Sequence, residues 1–384
     1  MPELVALDLP GGAAFVEAVQ RVFESGDAVA PLDRRLPGPA ARDQLAALRP
    51  TAVLDESGER RSLSDGEPVE PGDALVMATS GTTGDPRGVV LTHDAIAASA
   101  RASSARLGID PTRHHWLACL PLAHIGGMSV VLRALVTDTP LTVHDGFDAD
   151  RVTRSGRRGE VTHVSLVATA LHRVDPSAFA AILLGGAAPP PGLAANVVTT
   201  YGMTETGSGV VYDGVALDGV ELAIGTGQDE GGAPGEILVR GLMLLRAYRD
   251  GVDPRIAGPD GRGGWLPTGD AGELLADGRL RVEGRIAEVV VTGGEKVWPS
   301  AVEAVLAGHA GVREIAVWKR PDAEWGERVV AWVVPADPAD PPSLESLRRR
   351  ASDELSPWSA PKELVLVDQL PRTDSGKLRR SALR

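Results

Sequence analysis

Residues 79–88 crowd hydroxyls, glycines and a cation into one string: Thr79, Ser80, Gly81, Thr82, Thr83, Gly84, Asp85, Pro86, Arg87 and Gly88. Glycine lets a backbone approach a ligand closely, the hydroxyls donate hydrogen bonds, and Arg87 adds positive charge, a combination suited to phosphate oxygens. The Lys-Ser/Thr ending of the GxxxxGK[ST] nucleotide loop is absent. A plain Ser/Thr/Gly surface turn is the alternative reading.

Other strings carry complementary groups. In residues 200–207, Tyr201 offers a ring to stack on a base, Thr204 a hydroxyl for phosphate, and Glu205 a carboxylate for a divalent cation, with Gly202 between them. Gly185, Gly186 and Ala187 are small enough for a flat purine to reach the main chain. Asp270 can accept from ribose hydroxyls and Arg285 can donate to ribose or phosphate oxygens. Lys377 stands among turn formers and cations in residues 370–380, where alone it reads as a solvated tail charge. His124, beside Gly126 and Gly127, could donate toward a polar or aromatic acid or be a structural histidine. Arg133 reads as a surface or boundary charge on a helix, with a role toward a substrate carboxylate as the alternative.

The elements that must position these groups alternate. Strand-like apolar runs are expected at 51–54, 74–78, 116–120, 181–184, 221–224, 236–239, 274–275 and 280–282, and helices at 12–24, 92–107 and 126–135. Residues 161–171 pass from strand to helix character, 80–88 read as a loop, and Thr92 is a candidate helix cap. This pattern predicts a large α/β N-terminal domain of layered sheets and helices over 1–284. Beyond Gly284, strand and helix character alternate at 288–291, 300–307, 312–319, 328–335, 344–354 and 363–367, which predicts a small α+β domain over 285–384.

In this order the motifs resemble the adenylate-forming superfamily of acyl-CoA synthetases, luciferases and peptide-synthetase adenylation domains, over most of residues 73–384. The resemblance implies the adenylate-forming ligase fold, with a mobile C-terminal domain, and ATP, Mg²⁺ and coenzyme A as cofactor and cosubstrates. It assigns Thr79, Ser80, Gly81, Thr82, Thr83, Gly84 and Arg87 to the ATP β- and γ-phosphates, although many relatives carry Lys where Arg87 stands. Gly185, Gly186 and Ala187 would line the adenine. Tyr201, Gly202, Thr204 and Glu205 would form the adenylate motif, with Glu205 on the metal, and Asp270 and Arg285 would bind nucleotide. Lys377 would contact the substrate carboxylate and the α-phosphate, and His124 would border the acyl pocket. Residues 285–299 resemble the hinge and thiol-facing motif, with Ala287 where many relatives have Asp, Lys or Ser. There Gly293 and Gly294 would admit the pantetheine arm beside Trp298; a simple loop with a hydrophobic anchor is the alternative.

Only 78 residues precede Thr79, little material for an extended fatty-acid tunnel. Residues 121–127 and 211–220 resemble compact o-succinylbenzoate–CoA ligases of menaquinone synthesis, implying an aromatic dicarboxylic acid that is converted to o-succinylbenzoyl-CoA with AMP and pyrophosphate. Another acyl- or aryl-CoA ligase, or a stand-alone adenylation enzyme that loads a carrier protein, is the alternative. The sequence up to Arg384 carries no obvious phosphopantetheine attachment site of a carrier domain, from which free coenzyme A is the expected acceptor. A net charge of −13 argues against a nucleic-acid or anionic-membrane partner. Cys119 is the single cysteine, so no intrachain disulfide can form, and its apolar surroundings predict a buried, inert thiol. The chain shows no basic leader or long apolar span, which predicts a cytoplasmic protein, and it leaves homo-oligomerisation open.

Overall fold

The computed structural model describes residues 1–80, 86–225, 234–372 and 378–383. Compactness divides the chain differently from the contiguous spans 1–284 and 285–384. One unit holds Met1–Leu222, Val239–Leu266 and Ala276–Leu280; the other holds Ala223–Leu238, Pro267–Leu275 and Arg281–Arg384.

Two seven-stranded sheets build the first unit. In one, Leu4–Asp8 pairs in parallel with Ala28–Pro31 and Ala52–Asp55, and Ala28–Pro31 in turn with Asp73–Ser80. Pro86–Thr92 then runs antiparallel to Asp73–Ser80, and Ala247–Tyr248 closes that edge. In the other, Leu141–Val143, Trp116–Ala118, His163–Leu166, Ala181–Leu184 and Val197–Met203 are parallel neighbours in that order. Their apolar runs are buried by helices, as parallel sheets require: Leu117, Val164, Leu166, Ile182 and Leu184 pack with Val152 of the helix Ala149–Arg157. Cys119 belongs to this cluster, and burial pushes its thiol up to about 12, so it is no nucleophile.

Small residues let two helices approach closely above this sheet. His93–Leu107 is capped by Thr92, whose Oγ1 accepts from Ala95 N at 3.1 Å, and it buries Ser99, Ala100 and Ser103. Ile125–Val136 buries nearly its whole middle, including Arg133. The expectation of a surface arginine is therefore overturned: Arg133 is 2% exposed, donates from Nε to Ser103 Oγ at 2.8 Å and from Nη2 to Tyr212 Oη at 3.4 Å, and stacks over Trp116. A helix periodicity places a residue on a face, but it cannot say that a second helix of small residues covers that face.

His163 lies against Trp116, 5.1 Å between ring centroids, and is 3% exposed. Burial, the nearby His114 and then Arg133 lower its pKa from 6.5 to about 4. The native ring resists a proton that the unfolded chain accepts, so this contribution is fully present above pH 6.5 and is lost as pH falls toward 4. Between pH 7.5 and 4.5 the native state should lose roughly 2–3 kcal/mol through this group. Urea unfolding at the two pH values should show that loss in the wild type and not in His163→Phe; equal losses would contradict it.

In the second unit, Gly326–Pro335 is the central strand, buried on both faces from Val329 to Pro335. Val329, Ala331 and Val333 face the helices Pro299–Leu306 and Leu344–Glu354, while Val330, Trp332 and Val334 pack with Leu370, Leu378 and Leu383. Val312–Asp322 runs antiparallel to it and Glu363–Leu366 parallel. A further four-stranded sheet has the order Val220–Ile224, Gly235–Gly241, Leu266–Leu274, Leu280–Arg285. The short strand expected at 274–275 is thus the tail of a nine-residue strand that carries Asp270. No helix among the described residues is long and apolar enough to cross a membrane.

Candidate active site

Parallel strands deliver their following loops to one edge of a sheet, where ligands of α/β folds gather. Trp116–Ala118, Ala181–Leu184 and Val197–Met203 therefore bring His124, Gly185 to Ala187, and Tyr201 to Glu205 to the same edge of one sheet. Ala28–Pro31 and Asp73–Ser80 likewise deliver Asp33 and Thr79 to one edge of the other.

Side chains tie the two edges together. His124 Nε2 lies 3.4 Å from Asp33 Oδ2 and 3.1 Å from an Arg35 nitrogen. Burial alone would raise Asp33, but hydrogen bonds from Arg35 and His124 outweigh it and hold the carboxyl well below the usual carboxylate range. His124 also stands at the N-terminus of Ile125–Val136, where its carbonyl accepts from Met128 N at 2.9 Å. At the other tie, Tyr248 Oη donates to Glu205 Oε1 at 3.0 Å, and Arg87 stacks on the Tyr248 ring at 3.6 Å while pairing with Asp250 at 2.9 Å. Burial and then the Glu205 charge raise the Tyr248 phenol above its ordinary value, which keeps it a donor.

The Ser/Thr/Gly string is not one continuous loop. Thr79 pairs with Arg87 and Ser80 with Pro86, so both ends are strand and Arg87 projects from the second strand of a hairpin. Gly81, Thr82, Thr83 and Gly84 lie outside the described residues. Around the adenylate motif, Gly185 leaves no room for a side chain, since a Cβ would meet Thr200 Oγ1 at 2.6 Å, and Gly186 has a φ of +86°. A Cβ on Gly202 would strike Ser208 O at 2.1 Å, so this glycine permits Val197–Met203 to pair with Ser208–Tyr212. Thr204 and Glu205 follow in a single tight helical turn, with Leu245 N donating to Glu205 O at 2.8 Å.

Among the described residues no group of three or more His, Cys, Asp or Glu could hold a metal. One carboxylate is nonetheless the donor set that suits Mg²⁺ carried on a triphosphate with its waters. Among the described residues, Glu205 Oε2 makes no hydrogen bond beside the one that Oε1 accepts from Tyr248.

In the second unit, Asp270 and Arg285 meet directly, Nε to Oδ1 at 2.9 Å, and Arg285 also donates to Thr268 O at 3.2 Å. Glu236 Oε1 accepts from Gly269 N at 2.9 Å and holds the turn before Asp270. Gly293 and Gly294 form a two-residue turn between Val290–Thr292 and Glu295–Val297, with φ of +62° and +85°. Their surroundings differ: a Cβ on Gly293 would strike the Trp325 ring at 2.6 Å, whereas one on Gly294 meets nothing within 4 Å. Lys377 lies outside the described residues, but its flanks are fixed: Arg372 bridges to Leu378, and Arg379 N donates to Pro371 O at 2.9 Å. Ala287 is exposed in a single turn after Arg285.

Sequence reasoning missed Asp33, Arg35, Glu236, Tyr248 and Asp250. Arg87 and Asp250 are 163 residues apart, and nothing in the local spacing around either points to the other.

The family described as AMP-binding enzyme matches residues 2–249, and its C-terminal domain matches residues 301–377. The probable 2-succinylbenzoate–CoA ligase of Mycobacterium tuberculosis strain H37Rv is 40% identical over 348 residues, covering 84% of this chain and 86% of that protein. The 2-succinylbenzoate–CoA ligase of Enterococcus faecalis is 35% identical, covering 83% of this chain and 72% of that one. The o-succinylbenzoate CoA synthetase of Bacillus subtilis in complex with its acyl-adenylate intermediate matches at a TM-score of 0.84 and 29% identity, covering 100% of this chain and 88% of that chain. Its complex with ATP and magnesium ion matches at 0.84 and 30% identity, covering 99% and 89%.

Proposed function

The chain belongs to the AMP-binding enzyme family and is an AMP-forming ligase, and from that premise we propose that it joins o-succinylbenzoate to coenzyme A through an acyl-adenylate. The observation that carries the choice of acid is the 40% identity to a probable 2-succinylbenzoate–CoA ligase across 84% of the chain.

In this reading the succinyl carboxylate attacks the α-phosphorus of ATP, the bond to the β-phosphate oxygen breaks, and pyrophosphate leaves. The thiol of coenzyme A then attacks the acyl carbonyl and AMP departs. The acid is its own nucleophile, so no Ser-His-Asp arrangement is needed. Arg87 and the hydroxyls of Thr79, Ser80, Thr82 and Thr83 hold the β- and γ-phosphates. Tyr201 stacks on the adenine, with Gly185, Gly186 and Ala187 against it, Gly202 lets the adenylate strand pass close by, and Thr204 offers its hydroxyl to phosphate. Glu205 would hold Mg²⁺, which when bound neutralises charge on the phosphate oxygens. Asp270 and Arg285, already paired, present an acceptor and a donor fork to ribose. Lys377 acts at the carboxylate and α-phosphate; residues 285–384 then move, and Gly294 faces the thiol.

Arg133 is a structural cation in this reading. It is buried beside Trp116, which opens its strand and so lies at the opposite edge of the sheet from His124, and it holds Ser103 and Tyr212. Arg133→Met is therefore expected to change stability, read by urea unfolding, and to leave the preference for o-succinylbenzoate over a benzoylpropionate lacking the ring carboxylate unaltered. A selective loss on o-succinylbenzoate would contradict this.

The assignment is tested with a panel of o-succinylbenzoate, benzoate, short-chain and dicarboxylic acids, supplied with ATP, Mg²⁺ and coenzyme A and read by product mass. o-Succinylbenzoyl-CoA should dominate. A folded enzyme that prefers another acid replaces the substrate, and acylation of a carrier protein with no coenzyme A product replaces the acceptor.

A further inference from the structure

In residues 246–250, Arg246, Tyr248, Arg249 and Asp250 are each held by groups from distant parts of the first unit. Arg246 clamps Asp73 with Nε to Oδ1 at 2.8 Å and Nη2 to Oδ2 at 2.9 Å, and Asp73 is 1% exposed. Arg249 points the other way and donates to Leu48 O at 3.0 Å and Pro68 O at 2.9 Å. Tyr248 sits between these anchors, on the edge strand that pairs it with Val89. Its two chemical faces are both in use: the hydroxyl donates to Glu205 Oε1 at 3.0 Å, and the ring carries the Arg87 guanidinium at 3.6 Å. Asp250, two residues on, holds the same guanidinium at 2.9 Å.

A carboxylate and a guanidinium on separate sheets would otherwise be set independently, each with its own rotamer freedom. A rigid aromatic ring with a hydroxyl at its tip fixes both at once, because it has few torsions to lose and its backbone is pinned on either side. We propose that Tyr248 is a positioning residue that couples the metal-binding carboxylate Glu205 to the phosphate-facing cation Arg87, so that metal and triphosphate are received as one unit. The proposal rests on the reading that Glu205 holds the metal and Arg87 the phosphates.

Tyr248→Phe keeps the ring beneath Arg87 and removes only the hydroxyl. The test measures Mn²⁺ binding to the full-length enzyme with ATP by electron paramagnetic resonance, and ATP affinity without metal by calorimetry. Tyr248→Phe should weaken Mn²⁺ on the enzyme–ATP complex roughly tenfold and change metal-free ATP affinity by less than about twofold. Tyr248→Leu, which also removes the ring, should weaken both; should it fail to fold, the Phe variant decides alone. Glu205→Gln separates the two levels of the claim. If it loses Mn²⁺ affinity while Tyr248→Phe keeps it, the coupling is overturned. If Glu205→Gln keeps it too, the metal assignment falls and the coupling with it.

Discussion

Lys377→Ala should slow acyl-adenylate formation by about 10²- to 10³-fold, the scale lost when one preorganised group that stabilises developing charge is removed. Thioester formation from supplied acyl-AMP should change far less, since in the proposed cycle the lysine has withdrawn before the thiol attacks. The surroundings favour such a precise role. Arg380 pairs with Glu303 at 2.7 Å and Glu288 at 3.4 Å, Arg372 pairs with Glu314 at 2.7 Å, and Leu370, Leu378 and Leu383 are packed against Trp332. The chain on either side of the lysine segment is thereby anchored to the small unit's sheet. Pyrophosphate release in single turnover and acyl-AMP consumption with coenzyme A measure the two halves separately. Equal loss in both would remove the state-specific role.

Gly294→Leu should do the reverse, slowing thioester formation on the order of 10²-fold, as obstruction or misplacement of a reactant does, while sparing adenylation. Its neighbour explains why the position is informative. Gly293 is already required by the Trp325 ring above it, so a variant there would report on packing alone. At Gly294 the space is open, and the cost to the fold is the left-handed backbone, about 1–2 kcal/mol. A variant that folds, adenylates poorly and still makes thioester from acyl-AMP would sink the thiol-facing assignment. Melting temperature separates the backbone cost from the catalytic effect.

How far the site was legible in the sequence follows from the range of the forces involved. Helices 93–107 and 125–136 and the Thr92 cap rest on local periodicity and local hydrogen bonds, and they were legible to within a residue or two. The strands Leu4–Asp8, Ala28–Pro31 and Val197–Met203 were not. Leu4–Asp8 and Ala28–Pro31 are short, buried and apolar, without the alternation that marks a half-exposed strand. Val197–Met203 is half-buried and mixes Thr199, Thr200 and Gly202 into its run, so it has no strand signature either. Val197–Met203 mattered most, because it carries Tyr201 and explains Gly202. Arg133 was misread for a related reason: its burial depends on Ser103 and Tyr212, supplied by elements 30 and 79 residues away. Motif strings revealed Glu205, Asp270 and Arg285, but not what orients them. The Asp270–Arg285 pair, the Glu236 bond to Gly269 and the Tyr248 bond to Glu205 are tertiary contacts, visible only once the chain is folded.

The most direct test of the whole account is a two-stage single turnover. Enzyme is mixed with labelled o-succinylbenzoate, ATP and Mg²⁺ without coenzyme A, quenched for mass analysis, and a second aliquot is chased with coenzyme A and excess unlabelled acid. The account predicts one equivalent of enzyme-bound acyl-AMP with one of pyrophosphate, and then label in o-succinylbenzoyl-CoA with release of AMP. Release of ADP and phosphate, or thioester formation that draws on unlabelled acid and bypasses the bound acyl-AMP, would contradict it.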